Sequence, residues 1–496
     1  MTADVDVTAL AVFVFFFLLV TGMGFVAARW RKPATLANLD EWGLGGRKFG
    51  TWITWFLIGG DFYTAYTVIA VPALVYAVGA YGFFALPYTI IVYPFVFAVM
   101  PLLWKVAKER GYVTAGDVVR GVYDSRPLEL AVALTGILAT MPYIALQLIG
   151  MEVAIKALGL VGEIPLVTAF LVLALYTYSS GLRAPALIAF VKDIMIYVVV
   201  IVAVAVVPAK LGGYGAVFAA ADAAFTAKKA GGILLSSAQI MPYATLAFGS
   251  ALAAFMYPHT LTGIFASSGV NTIRKNAVLL PVYTLLLGLI ALLGYMGHAA
   301  GLKVTSNNDI VPMLFKTLFP SWFAGFAFSA IAIGALVPAA VMSIGAANLF
   351  TRNIWRSWVN PAVTPAGEAQ VAKITSLLVK VGALLAILFL PTQFALDLQL
   401  LGGLWILQTL PALVFGLFVN WFSSSALLAG WAVGLFGGSL VAWMDGLRPL
   451  HSLTIGDTTF SVYTGLLALS ANIIVAVLVN VALKSRGQAA LNRSPA

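Results

Sequence analysis

Two short polar stretches inside apolar runs hold the residue types of this sequence that could do chemistry. The first, LIGGDFYTAYT at residues 57–67, combines a glycine pair with an aspartate, two tyrosines and two threonines. The second, AAFMYPHTLTG at residues 253–263, places a proline and a histidine in the middle of a run. Glycine lowers helix propensity, and an internal proline frees a backbone carbonyl. Both stretches therefore predict broken helices, whose exposed backbone groups can bind an ion or a small polar molecule.

The composition indicates that both breaks lie in membrane-spanning helices. Of the 496 residues, 62% are hydrophobic and 9% are charged, and the mean hydropathy is +1.00. Long uncharged runs recur along the chain, which predicts an all-α integral membrane protein. The runs do not alternate polar and apolar residues as membrane β-strands do. The sequence contains no cysteine, which excludes disulfides, thiolate metal sites and cysteine catalysis.

Hydropathy and turn signals predict a single integral domain, residues 1–496, with about thirteen transmembrane helices. An extra N-terminal helix (7–29) precedes a first repeat (46–208), a second, inverted repeat (240–418) and two accessory helices (423–483). The ten spans within the repeats are numbered core helices 1 to 10, and the two breaks fall in core helices 1 and 6, as an inverted repeat requires. The predicted spans are roughly 7–29, 46–76, 81–106, 127–158, 164–181, 184–208, 240–268, 276–299, 321–351, 368–390, 394–418, 423–444 and 459–483.

The basic residues predict the orientation. With the N-terminus outside, 19 of the 28 Lys and Arg residues fall in inside segments and seven in outside segments, while Lys192 and Lys380 lie within spans. Cytoplasmic loops carry an excess of Lys and Arg, so we expect a multi-pass protein of the cell (inner) membrane with a cytoplasmic C-terminus. The net charge of +10 then reflects this asymmetry and does not indicate nucleic-acid binding. No segment between the spans is long enough for an ATPase, so transport is expected to use a gradient or to be passive.

The substrate-binding residues are expected around the two breaks, because irregular backbone at membrane depth persists where it lines a cavity or is buried in protein. Asp61 is expected to cap the half-helix after Gly59–Gly60 or to carry a proton. Two alternatives involve no ligand: the glycine pair packs against a neighbouring helix, and the histidine only orients a hydrogen-bond partner. The expected substrate-binding side chains, with Trp405 at an outer gate, are Tyr63, Thr64, Tyr66, Thr67, Gln147, Tyr257, His259, Trp405 and Gln408.

The sequence offers no constellation for catalysis. No group of His, Asp and Glu has the spacing of metal ligands, and no serine or histidine pattern supports hydrolysis. We therefore expect no metal, no cofactor and no enzymatic activity.

Six stretches of the chain carry a family resemblance: LDEWGLGGRKFGTW, TAYTVIAVPALVYAVGAYG, YVTAGDVVRGVYDSR, SGLRAPALIAF, MYPHTLTGIFAS and LLGGLWILQTLPALVFGLF. Spread over roughly residues 35–420, they resemble the sodium/solute symporter family, which has the inverted-repeat fold of the leucine transporter. Within the family, the sequence looks most like permeases for small monocarboxylates such as lactate and pyruvate. The resemblance implies an inverted five-plus-five core with broken core helices 1 and 6.

One departure from the family concerns its sodium site. Family members bind sodium between carbonyls at the break in core helix 1 and a hydroxyl pair in core helix 8. When residues 329–355 are aligned with the family without gaps, that pair falls on Val337 and Pro338, which have no side-chain oxygen. A hard cation needs several oxygen ligands, so this site would bind sodium poorly. Ser343 is an alternative ligand, about two turns away.

Lys192, in the apolar stretch FVKDIMIYVVV of core helix 5, is expected to take the place of the sodium ion. A lysine inside the membrane is a candidate functional residue by default. Core helix 5 borders the sodium site in this fold, and in some proton-using relatives a lysine ammonium occupies that place. The ammonium would donate to carbonyls near Gly60 and Tyr63. The alternative is that Lys192 pairs with Asp193 or extends to the interface.

Together these observations predict a secondary active transporter that imports a small monocarboxylate with a proton, with protonation of Lys192 coupling the gradient to helix movement. The expected cation-site positions are Gly60, Asp61, Tyr63, Lys192, Val337 and Pro338. The alternative is a sodium-coupled symporter of a small organic or amino acid, and a channel-like or sensor subunit is less expected. The expected partners are the substrate, a proton or sodium ion, and the lipid bilayer.

Overall fold

The computed structural model describes residues 5–27, 29–30, 35–160, 162–389 and 395–486. Most of this backbone is helical, because a helix satisfies its own N–H and C=O groups in the absence of water. The helices of the first half are α1 (Val7–Val26), α2 (Leu39–Leu44), α3 (Thr51–Phe62), α4 (Ala65–Val78), α5 (Ala85–Arg110), α6 (Ala115–Tyr123), α7 (Arg126–Ala157), α8 (Ile164–Ser180), α9 (Arg183–Lys210) and α10 (Tyr214–Lys228).

The second half continues with twelve helices and one antiparallel hairpin. The hairpin pairs β1 (Leu450–Ile455) with β2 (Thr458–Tyr463). The helices are α11 (Ser237–Ala254), α12 (Pro258–Ala266), α13 (Val270–Leu279), α14 (Pro281–Ala299), α15 (Ile310–Leu318), α16 (Ser321–Leu349), α17 (Pro365–Phe389), α18 (Ala395–Leu407), α19 (Gly416–Phe418), α20 (Ser424–Ala432), α21 (Gly438–Met444) and α22 (Thr464–Ser485). Short 3₁₀ or π-helical segments connect or extend them at Gly45–Arg47, Gly79–Phe84, Asn307–Asp309, Phe350–Val359, Pro411–Phe415 and Val433–Gly437.

Many of these helices are long and apolar enough to cross a membrane. Within the described residues nine helical segments meet that description, or ten if α11 and α12, bent by 49° at their break, form one span. The predicted count of thirteen is not confirmed. Helices α3 to α5 belong to one helical segment, Thr51–Arg110, where the sequence predicts two spans, and α8 has only 17 residues.

The predicted core helices correspond to these elements in chain order. Core helix 1 is α3 with α4, and core helix 6 is α11 with α12. Core helices 3, 5, 8, 9 and 10 are α7, α9, α16, α17 and α18. The all-α membrane fold is therefore confirmed, while the boundaries of the two repeats stay predictions.

Helix α16 forms the centre of the molecule and is fully buried along its most apolar stretch. Its glycines let the starts of the two half-helices approach closely, as small residues do at membrane helix interfaces. A Cβ added to Gly345 would lie 2.9 Å from His259 N, and one added to Gly334 would lie 3.7 Å from Ala65 N. The starts of α4 and α12 are thus both positioned against the same helix.

Charged side chains tie α6 and α17 to the π-helical segment Phe350–Val359. The Arg352 guanidinium lies 3.1 Å from Asp117 Oδ2 and 3.4 Å from Glu368 Oε2. Asn353 Nδ2 donates to Asp117 Oδ1 at 3.0 Å. This network lies in a part of the chain that the sequence assigns to the cytoplasmic side, away from the two breaks.

Candidate functional site between the helix breaks

The first break lies beyond the glycine pair. Helix α3 continues through both glycines to Phe62, and α4 begins at Ala65. Between them, Tyr63 has φ −102° and ψ 83°, and Thr64 is extended with φ −109° and ψ 178°. Thr64 is the N-cap residue of α4. The expectations that the glycine pair forms the break and that Asp61 caps the next half-helix are therefore wrong.

The glycine pair instead gives space to side chains from two other helices. A Cβ added to Gly59 would lie 2.1 Å from Cε2 of Tyr283, and one added to Gly60 would lie 2.8 Å from Nζ of Lys192. Tyr283 comes from α14 and Lys192 from α9. Glycine is tolerated inside this helix because the tertiary contacts offset its low helix propensity.

The ammonium of Lys192 lies at the first break and is bound by three oxygens. Nζ donates to Gly60 O at 2.6 Å and to Tyr63 O at 2.9 Å, and it lies 2.9 Å from Asp193 Oδ1. The two carbonyls are available because α3 ends here, and the last carbonyls of a helix have no intrahelical partner. Lys192 is 0% exposed, so it does not extend to the interface. The predicted carbonyl contacts and the alternative pairing with Asp193 are both present.

Asp193 connects Lys192 to a cluster of aromatic rings. Its side chain is 1% exposed, and its Oδ2 accepts a hydrogen bond from the Tyr283 hydroxyl at 2.5 Å. The Tyr283 ring packs on Tyr63 and Trp55, with centroid distances of 4.7 Å and 4.6 Å. The buried ammonium and carboxylate neutralise each other, which is the usual condition for charges to persist inside a protein.

The family's hydroxyl positions on α16 hold apolar side chains. Val337 and Pro338 are buried, and neither provides a side-chain oxygen. The alternative ligand Ser343 points to α17, because its Oγ lies 3.0 Å from Ser376 Oγ. Lys380 Nζ donates to that same Ser376 hydroxyl at 2.9 Å and is 1% exposed. Lys380 is therefore buried and does not extend to the interface.

A cavity of about 50 Å³ lies between the two breaks, with room for a few water molecules. Its walls come from the end of α3, from α5 and α7, from both sides of the second break, from α18 and from the residue before α22. The polar or aromatic side chains that line it are Asp61, Phe62, Phe84, Tyr88, Tyr143, Ser250, Tyr257, His259, Thr260, Gln399 and Tyr463. The structure therefore places three predicted residues, Asp61, Tyr257 and His259, in one cavity.

Asp61 and His259 face each other across this cavity. Asp61 Oδ2 lies 3.6 Å from His259 Nε2, and the two side chains are 4% and 3% exposed. Within the described residues, Asp61 Oδ1 and His259 Nδ1 have no hydrogen-bond partner. The His259 ring packs against Tyr143 and Tyr257, with centroid distances of 5.4 Å and 5.1 Å. The pair thus offers unused hydrogen-bonding capacity at a buried position in the cavity.

Other residues predicted at the first break do not line this cavity in the described part of the chain. The Tyr63 ring stacks on Tyr283 instead. The Thr67 hydroxyl donates to the last carbonyl of α3 at 2.8 Å, and Thr64 is buried beside it. The side chain of Tyr66 lies outside the described residues.

Gln147 is buried on α7, the helix that also contributes Tyr143 to the cavity. It is 0% exposed, and within the described residues its two amide atoms have no hydrogen-bond partner. Tyr143, four residues earlier on the same face, lines the cavity. Gly150, three residues later, approaches Ala65 so closely that an added Cβ would lie 2.4 Å from the Ala65 Cβ. Gln147 therefore lies on α7 between a residue that lines the cavity and one that contacts the start of α4.

Trp405 and Gln408 face the accessory helices. Trp405 Nε1 donates to Ser439 Oγ on α21 at 2.9 Å. Gln408 Nε2 donates to Leu404 O at 2.9 Å, and its Oε1 accepts from Asn472 Nδ2 of α22 at 3.2 Å. Neither residue is among those that line the cavity, and their predicted substrate contact stays a prediction.

Several residues of the site were not found from the sequence. The spacing of Tyr143 and Gln147 on one helix face was a usable signal. Tyr463, whose hydroxyl donates to Leu400 O at 2.9 Å, and Tyr283, 90 residues from its partner Asp193, carry no local signal. They reach the site only through packing of distant segments.

The chain is similar in sequence to a protein family and to two bacterial proteins. The sodium:solute symporter family matches residues 42–434. A protein of Rhizobium johnstonii named monocarboxylate transport permease protein is 75% identical over 486 residues, which cover 98% of this chain and 99% of that protein. The uncharacterized symporter YodF of Bacillus subtilis is 32% identical over 486 residues, covering 96% and 93% of the two chains.

A solved structure shows the same fold. A Na⁺-coupled sialic acid symporter in a substrate-bound outward-open state aligns with a TM-score of 0.77, covering 97% of this chain and 98% of that one at 15% identity. The family match extends over most of the chain, and the relatives are transporters, so this is a multi-pass membrane transporter and not an enzyme. The chain belongs to the sodium:solute symporter family.

Proposed function

We propose that this transporter imports a small monocarboxylate such as lactate or pyruvate across the cell membrane together with a proton. The observation that carries the proposal is the Lys192 ammonium, bound by Gly60 O and Tyr63 O at the first break. The positive charge of Lys192 there takes the place of the sodium ion that the family name implies. The relative named monocarboxylate transport permease supports the choice of substrate.

The substrate is proposed to bind between the two breaks. The N-terminal turns of α4 and α12 begin there, and the free N–H groups of a helix N-terminus favour an anion. His259 and Tyr257 line the cavity, and Gln147, one helical turn from the cavity-lining Tyr143, has amide atoms without a hydrogen-bond partner among the described residues. A cavity of about 50 Å³ must enlarge to admit the acid, which fits alternating access by movement of one helix group against another.

Coupling to a proton rather than to sodium is proposed from the residues at the cation site. The ammonium already satisfies the two carbonyls that a sodium ion would need. Val337 and Pro338 offer no oxygen, and the Ser343 hydroxyl is bonded to Ser376. Co-transport of one anion with one proton would move no net charge. The orientation proposed is the one expected from the basic residues, with the N-terminus outside.

Uptake of radiolabelled lactate into proteoliposomes tests the proposal. We expect the wild type to accumulate lactate when the interior is alkaline and sodium is absent, and we expect Lys192→Ala to lose this uptake. Lys210→Ala, at the exposed end of the same helix, is the matched control and should behave as the wild type. Uptake that requires sodium, with Lys192→Ala unimpaired, would overturn the proposal and support sodium coupling.

A further inference from the structure

Asp61 is a buried acid in the cavity whose role the proposed cation site does not explain. It is 4% exposed, and its Oδ1 has no hydrogen-bond partner among the described residues. It does not cap α4, because Thr64 is the N-cap residue there. Burying a polar atom without a partner costs free energy, so such an atom in a ligand cavity indicates a function.

The Lys192 ammonium is poorly placed to release a proton during transport. It is held by two carbonyls and by Asp193. If it lost its proton, the buried Asp193 carboxylate would keep a charge with only the Tyr283 hydroxyl as donor. Leaving one member of a buried ion pair charged and unpaired is strongly unfavourable. Lys192 is therefore better suited to be a permanent cation that holds α9 against the first break.

The surroundings of Asp61 favour its uncharged form. No lysine or arginine lines the cavity among the described residues. The titratable groups that face it are His259 from α12, Tyr257 from the second break, Tyr143 from α7, Tyr88 from α5 and Tyr463 before α22. Lys192 and Asp193 lie beyond Gly60 and neutralise each other at 2.9 Å. A carboxylate in such a place gains little from ionising until water enters or His259 is protonated.

We infer that Asp61 carries the proton that is transported with the substrate, which rests on the proposed proton coupling. When the cavity is open to the outside, hydronium gives a proton to the Asp61 carboxylate. The resulting O–H donates a hydrogen bond to the substrate carboxylate, which an ionised Asp61 would repel. When the cavity opens to the inside, the anion leaves and the Asp61 proton passes to water. His259, whose Nε2 lies 3.6 Å from Asp61 Oδ2, stabilises the ionised carboxylate while the empty transporter returns to the state that is open to the outside.

The test compares Asp61→Asn with the wild type in proteoliposomes made from the full-length protein. Asparagine keeps an N–H donor near the same place and cannot lose a proton. We expect Asp61→Asn to exchange internal for external lactate at equal pH more slowly than the wild type, because the substrate loses the carboxyl donor, but clearly faster than protein-free liposomes. It should fail to accumulate lactate under an inside-alkaline gradient, where the wild type reaches about tenfold per pH unit. Protein-free liposomes measure the passive entry of undissociated lactic acid.

Two further measurements separate the outcomes. Asp61→Glu keeps a carboxyl group and should retain gradient-driven accumulation, and the lactate affinity of Asp61→Asn should no longer depend on pH. Accumulation by Asp61→Asn equal to that of the wild type would overturn the inference and return the carrier role to Lys192. Loss of exchange in a folded Asp61→Asn would also overturn it, since Asp61 would then be needed for substrate movement itself. Absence of proton-driven uptake in the wild type would refute the proposed function instead.

Discussion

The Lys192–Asp193 pair allows a quantitative test, in a double-mutant cycle of Lys192→Met, Asp193→Asn and both together. In Lys192→Met, Asp193 loses an ammonium at 2.9 Å, and two carbonyls at 2.6 Å and 2.9 Å lose their donor. Removing one member of a buried ion pair costs about 3–5 kcal/mol, because the remaining charge is unpaired. We expect Lys192→Met to lower the free energy of unfolding by about that amount. Asp193→Asn should cost less, since the ammonium keeps both carbonyls.

The double substitution should be more stable than Lys192→Met alone. The two carbonyls lack a donor in both variants, so the difference between the variants is the cost of the unpaired Asp193 charge. The expected recovery is about 0.5–3 kcal/mol, the range of coupling energies for residues in contact. Tryptophan fluorescence during unfolding in mixed micelles is a suitable signal, because the chain has 12 tryptophans. The reasoning fails if the double variant is as unstable as Lys192→Met or less stable.

An exposed lysine on the same helix is the control for this cycle. Lys210 Nζ donates to Leu318 O at 2.6 Å from an exposed position, so Lys210→Met should lower the free energy of unfolding by no more than about 1 kcal/mol. A comparable loss there would mean that the assay reports a general effect of removing charge from α9.

Two other substitutions test the space and the charges around the site. Gly60→Ala places a Cβ 2.8 Å from Lys192 Nζ and should weaken both stability and lactate uptake, whereas Gly22→Ala, with open space around it, should change neither. Equal uptake and melting temperature in the two variants would show that α3 moves to accommodate the added Cβ without a loss of stability or uptake. Lys380→Met removes a buried ammonium whose hydrogen-bond partner in the described part of the chain is the Ser376 hydroxyl, so it should leave the melting temperature unchanged or raise it and should preserve uptake. A lower melting temperature with lost uptake would give Lys380 a functional role.

The helices, and the second break, depend on interactions between residues close together in the chain and could therefore be predicted from the sequence. Apolar runs become helices because lipid offers no partner for backbone groups, as in α1, α7 and α9. The second break is also local: Pro258 begins α12, since the first position of a helix needs no N–H bond. The sequence shows directly that Val337 and Pro338 have no side-chain oxygen, but assigning these two positions to the cation site needed the family resemblance. Placing Lys192 at the cation site needed the family resemblance in addition.

Only the tertiary structure determines the directions and partners of side chains, because these depend on which face of a helix packs against which neighbouring element. The Gly59–Gly60 pair was predicted to break α3, but it is kept helical because a ring from α14 and an ammonium from α9 occupy the space. Trp405 and Gln408 lie on a core helix, yet their side chains bond to the accessory helices. Depth along a helix can be counted from the sequence, whereas the direction of a side chain around the axis depends on contacts between segments far apart in the chain. The pairing of Asp61 with His259 across two breaks, nearly two hundred residues apart, is such a contact.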